Sequence, residues 1–106
     1  MSADRLTDAL ATRVLGWKVA PGRYVKLNRS WTPAWRFAPL SNLDQAFELL
    51  DKAEATFSLT TDATGILEAE VRVDDATGKA SGPLKAKVIT MALARALGME
   101  VDDDLF

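Results

Sequence analysis

Between Asp8 and Asp44 the chain carries no acidic residue, while Arg13, Lys18, Arg23, Lys26, Arg29 and Arg36 interleave with Trp17, Tyr24, Trp31, Trp35 and Phe37. Cations neutralise phosphates and aromatic faces stack on unpaired bases, so this mixture suits a binder of single-stranded nucleic acid. Tryptophan and tyrosine also anchor protein surfaces. A third reading is a hairpin whose rings pack under a helix while its cations balance an acidic helix face. The candidate binding residues are Arg23, Tyr24, Lys26, Arg29, Trp31, Trp35 and Arg36. A formal charge of −2 does not by itself demand a polyanionic partner. A protein partner is therefore the first expectation, and a nucleic-acid-binding accessory role using residues 13–37 is the alternative.

Other clusters carry less chemistry. Glu68 and Glu70 belong on one face of a strand, about 7 Å apart, close to the spacing of paired hydrolytic carboxylates. Arg72 continues the same face, as on a solvated strand. Asp74-Asp75 and Asp102 to Asp104 lack the alternating ligands of a calcium loop. Lys85 and Lys87, near Ser81 and Gly82, could meet an anion at a helix start, but no phosphate-loop glycine pattern accompanies them. Histidine and cysteine are both absent. Ser-His-Asp and Cys-His catalysis are thereby excluded within the chain, as are disulfides and thiolate metal sites. The expectation is a protein that is not an enzyme, with no cofactor and no metal.

These residues need a scaffold, and Pro83 to Leu97 supplies its centre. At 100° per residue Leu84, Val88, Met91 and Ala92 form an apolar stripe. Ile89, Leu93, Ala96 and Leu97 widen it past half the circumference, leaving Lys87, Thr90 and Ala94 as a narrow strip. Such a helix must be covered by other structure. Pro83 suits its first turn, Ser81 or Gly82 its N-cap and Gly98 its end. An earlier helix runs from Ser2 or Asp4 to Leu15 on the stripe Leu6, Ala9, Leu10 and Val14, ending at Gly16. Leu15-Gly-Trp17 echoes Leu97-Gly-Met99, which a shared glycine cap explains more simply than a duplication. The middle helix places Leu43, Ala46, Phe47 and Leu50 on one face. Ser41 or Asn42 caps it, with Asp44 or Gln45 at N3 as in a capping box.

The remaining segments read as hairpins. Pro21-Gly22 is a turn, Tyr24 to Leu27 a strand, Asn28 to Ser30 a connection and Trp35 to Phe37 a short return strand. Phe57 and Leu59 alternate with polar residues, as do Leu67, Ala69, Val71 and Val73. Asp62-Ala-Thr-Gly65 joins those two strands as a type I turn closed by a left-handed glycine. The same letters at Asp75-Ala-Thr-Gly78 fall in a polar loop running to Gly82. The order is αββαββα, an α+β chain with a four-stranded, mostly antiparallel sheet in an α/β/α sandwich.

A chain of 106 residues has room for one domain. It is expected over 1–100, with 101–106 an acidic tail that frays. No apolar run reaches the roughly 18 residues needed to cross a bilayer, and MSADRLTDAL has no secretion-signal core, so a cytoplasmic location is expected. A monomer or small homo-oligomer fits this size.

The Leu-Gly-Trp17 helix ending, the aromatic and proline-rich stretch to Pro39, and the helix Leu40-Ser-Asn-Leu-Asp-Gln-Ala-Phe-Glu-Leu-Leu-Asp51 resemble the phage ABA sandwich family. With the two strands and the alanine-rich Ala92 to Leu97, the resemblance covers Leu6 to Leu97. Members often start the middle helix with Tyr-Ser-Thr-Asp, where this chain has Leu40-Ser-Asn-Leu43, and Phe47 can serve as their aromatic. The resemblance implies a layered fold and a phage or prophage origin, and it carries over no functional residue. The reading is a non-enzymatic interaction module.

Overall fold

All three expected helices form. The structure, a computed structural model, describes residues 3–99 and 101. Helix α1 spans Ala3–Leu15 and buries Leu6, Leu10 and Ala11. Gly16 ends it at φ +71°, and Gly98 follows the last helix at φ +82°. The two similar endings thus share a left-handed glycine, a conformation that costs other residues steric strain.

Helix α2, Leu43–Lys52, starts at Asn42, whose side chain accepts the Gln45 N–H at 3.1 Å. The reciprocal half of a capping box is not made. Gln45 instead reaches over the preceding segment: its Nε2 donates to the Arg36 carbonyl and its Oε1 accepts the Ala38 N–H, both at 2.6 Å. The Asn42 N–H goes to the Ala38 carbonyl.

Helix α3, Lys85–Ala96, is the core, and it starts later than its sequence suggests. Leu84 is the N-cap residue and is exposed, while Ser81 and Gly82 belong to a strand. Thr90 and Ala94, expected on a polar strip, are buried. The Thr90 hydroxyl donates to the Pro39 carbonyl at 2.9 Å, satisfying both polar groups inside the core. A helix covered nearly all round needs partners on both sides, and it has them.

Those partners correct the expected sheet. Among the described residues there are two three-stranded antiparallel sheets, and no four-stranded one. The first joins β1 (Lys18–Ala20), β2 (Arg23–Val25) and β3 (Trp31–Pro33); the second joins β4 (Thr56–Thr61), β5 (Leu67–Val73) and β6 (Ala76–Gly82). The return strand is therefore Trp31–Pro33, while Ala34–Arg36 is a 3-10 turn where a strand was expected over Trp35 to Phe37. Strand β1 was missed because three residues are too few to show alternation. Strand β6 was missed because Ala76-Thr-Gly-Lys-Ala-Ser-Gly82 has the composition of a loop.

The small residues of β6 have a packing cause. A Cβ on Gly78 would collide with the backbone of α3, at the Ala92 carbonyl oxygen, the Ala96 nitrogen and, at 2.9 Å, the Arg95 carbonyl carbon. Helix α3 thus lies directly on the strand backbone, with Ala80 also buried beneath it. The two Asp-Ala-Thr-Gly copies differ accordingly. In the first, the Asp62 carboxylate accepts the N–H and hydroxyl of Thr64 and the N–H of Ile66, and Gly65 takes φ +86°. In the second, Asp74 and Asp75 make a two-residue turn, with Asp74 at φ +53°, and Ala76 begins β6.

The α/β/α sandwich is also corrected. Helix α3 covers β5 and β6 on one face. The other face, with Glu68, Glu70, Arg72, Lys79 and Ser81, is exposed. The principal contacts run in series from the small sheet to α1, then α2, α3 and the larger sheet. The resulting body measures 45 × 26 × 23 Å. Val101 is half-buried and its carbonyl accepts Arg95 Nη2 at 3.1 Å, so this first residue of the expected frayed tail is held. Residues 102–106 lie outside the described residues.

Candidate functional site

Strand alternation sorts the basic and aromatic stretch into an inside and an outside. In the β1–β2–β3 register Tyr24 stands opposite Val19 and Thr32, while Arg23 stands opposite Ala20 and Pro33 and Val25 opposite Lys18 and Trp31. Neighbouring residues of a strand point to opposite faces, so Tyr24 and its neighbours Arg23 and Val25 part company.

Tyr24 goes inward. It is 3 % exposed, and its hydroxyl donates to Asp8 Oδ1 of α1 at 2.6 Å. Its ring centroid lies 6.0 Å from that of Trp17 and 5.6 Å from that of Phe37, with Trp17 and Phe37 5.2 Å apart. These edge and tilted contacts are the favourable geometries for aromatic pairs. Tyr24 is therefore a clamp holding the small sheet on α1. Lys26 is half-buried with its Nζ 5.3 Å from the Trp17 ring centroid.

The other candidates face water. Trp31 is 58 % and Trp35 76 % exposed. The Arg23 guanidinium sits 5.7 Å from the Trp31 ring centroid and the Arg36 guanidinium 5.2 Å from that of Trp35. Each exposed indole thus carries its own cation over one face. Arg29 occupies the tight 26–30 loop at φ +69°, where Lys26 N–H donates to the Ser30 carbonyl at 2.7 Å. Between α1, the small sheet and the segment 34–40 lies a cleft of ≈ 530 Å³, lined among others by Asp8, Arg23, Tyr24, Trp35 and Phe37. Asp8 is the residue that sequence reasoning missed, because it lies 16 positions from Tyr24 and only the fold puts an acid beside this acid-free stretch.

The carboxylates elsewhere do not converge. Glu68 and Glu70 share the solvated face of β5, where Glu70 lies 3.9 Å from Lys79. Asp74 and Asp75 form a turn, and Asp102 to Asp104 lie outside the described residues. Among the described residues no three acids gather at one point, and no helix is long and apolar enough to cross a membrane. Lys85 and Lys87 begin α3, but Ser81 and Gly82 are in β6 and do not complete an anion-binding start. Thr64, through its hydroxyl and then its N–H, holds the Asp62 carboxyl below its ordinary value of 3.8.

No protein-family model matches this sequence, and no curated protein does. The fold is shared with a solved structure described as a phage protein from Bacillus cereus ATCC 14579. The TM-score is 0.74 at 14 % sequence identity, over 96 % of this chain and 93 % of the other. At that identity the likeness is one of fold, and no family model, the ABA sandwich included, matches the chain.

Proposed function

We propose that the chain is a phage- or prophage-derived interaction module without catalytic activity, and that it meets a protein partner through the outward face of the small sheet and the turn after it. The observation that carries this reading is the exposure of Trp31 and Trp35, each under an arginine, on elements anchored from behind by Tyr24 and Gln45. Aromatic residues and arginine are the types enriched where protein interfaces derive their energy. The Bacillus cereus neighbour supports the phage setting through its fold alone.

Nucleic-acid binding is the competing reading, since the same arginine and tryptophan pairs could hold a phosphate and a base. Two measurements separate the readings. Capture from phage-infected lysate should be lost on combining Trp31→Ala with Trp35→Ala while the circular dichroism spectrum is unchanged; capture that survives the pair sinks the assignment of this surface. Labelled single-stranded oligonucleotides should bind weakly and lose binding near physiological salt, because neutralised phosphates release counterions. Tight, salt-sensitive binding abolished by Trp31→Ala would make the nucleic-acid reading the better one.

A further inference from the structure

The two edges of the larger sheet are treated differently. At the β6 edge, Lys79 turns its carbonyl outward and Arg95 Nη1 donates to it at 2.7 Å. A lysine on the strand and an arginine held over its backbone are devices that block further strand pairing. The β4 edge has none of them. Thr56-Phe-Ser-Leu-Thr-Thr61 contains no charge, no proline and no glycine, and pairs with β5 along its whole length.

Its open side can be assigned from the hairpin. Asp62 N–H donates to the Ile66 carbonyl at 3.0 Å, so that pair is hydrogen-bonded. Bonded and non-bonded pairs alternate along an antiparallel ladder. Thr60, Ser58 and Thr56 therefore turn their backbone groups to β5, and those of Thr61, Leu59 and Phe57 face away from it. No bond from another described element meets those three groups. Beside them the inner face is only partly covered, because α3 lies over β5 and β6. Phe57 is 46 % and Phe47 of α2 37 % exposed, with ring centroids 5.7 Å apart.

We infer that β4 is a self-association edge, at which two copies of this chain pair antiparallel about a two-fold axis near Leu59 to make one six-stranded sheet. An occupant of this edge must be a strand, since only a strand meets a row of outward N–H and C=O groups. A second β4 fits it for reasons of symmetry and charge. An antiparallel edge is self-complementary: in an isologous contact residue i meets j and j meets i, so about Leu59 each Phe57 faces Thr61 of the copy. From Ala55 to Thr61 there is no charge to repel its copy. A charged strand would find no counter-charge in that seam. At about 200 Å² per ring, the exposed parts of Phe47 and Phe57 add roughly 170 Å² of apolar surface per copy. The contact belongs at the small end of specific interfaces, so association belongs in the weak regime, between about 1 µM and 1 mM. This surface is separate from the small sheet, and its test is independent of the proposed function.

Sedimentation equilibrium of the full chain over that range reads the mass, 11.5 kDa for one copy. The expected result is a concentration-dependent doubling, abolished by Phe57→Lys and equally by Thr61→Lys, which leaves the phenyl patch intact and sits on an exposed residue. Amide exchange of Phe57, Leu59 and Thr61 should slow in step with the dimer fraction on passing from the dilute to the concentrated sample. A wild-type chain that stays monomeric throughout overturns the inference. So does a dimer that persists in a folded Thr61→Lys variant, or one lost instead with Trp31→Ala and Trp35→Ala, which would place the contact on the small sheet.

Discussion

Thr90 and Asp62 show how much a single hydroxyl decides in this chain. The Thr90 hydroxyl and the Pro39 carbonyl satisfy each other at a distance of 51 residues, inside the core. Thr90→Val keeps the shape and removes the donor, leaving a buried carbonyl unpaired, at a cost of about 1–3 kcal/mol. Thr90→Ser keeps the donor and gives up one methyl, worth about 0.8 kcal/mol. Denaturant midpoints should therefore fall further for valine than for serine. Asp62 acts at the surface. Its carboxyl is held below 3.8 by Thr64, so the bonds of the 62–66 turn favour the folded chain above that value. They are lost as pH falls through the lowered pKa of Asp62, since only the carboxylate accepts all three donors. An NMR titration should show the Asp62 carboxyl moving up toward 3.8 in Thr64→Ala, and no movement would discard the Thr64 account.

At the scale of elements, the contact between β6 and α3 sets the tightest packing. Gly78→Ala forces a methyl group into helix backbone, where no rotamer change relieves it, and should cost at least about 3 kcal/mol against the usual 1–3 for overpacking. Leu93→Ala, at a fully buried position of α3, should cost about 2–5 kcal/mol. If Gly78→Ala is milder than about 1 kcal/mol, the close approach of helix and strand is wrong. The same contact explains what the sequence conceals. Periodicity revealed all three helices, because Leu6 and Leu10, Ala46 and Leu50, and Val88 to Leu93 bury side chains whose spacing is visible. It concealed β6, because that strand buries backbone and has almost no side chains to display an alternation. The basic and aromatic stretch was visible as a composition, but which ring faces inward depended on a strand phase that Pro33 and three-residue strands leave unmarked. Tyr24 went inside and Trp31 outside on that phase alone. The Asp8 contact had no local sign at all.

For the whole molecule, the principal contacts run in series, and α3 packs on both the larger sheet and α2. A chain cut before Lys85 would leave Ala69 and Val71 of β5 without the helix that covers them. It should show no cooperative thermal transition by calorimetry, and a cooperative transition in that piece would refute the central place of α3. Because α3 follows both sheets, α1 and α2 in the chain, the ribosome releases the centre of the core after those elements. At about 5–20 residues per second the preceding elements wait for seconds without their common partner. During that interval the neutral β4 edge and the future floor of α3 are exposed together. The nascent chain is thus most dependent on holding factors just before residues 85–96 emerge, and codon changes that slow translation there should lower soluble yield more than the same changes placed upstream.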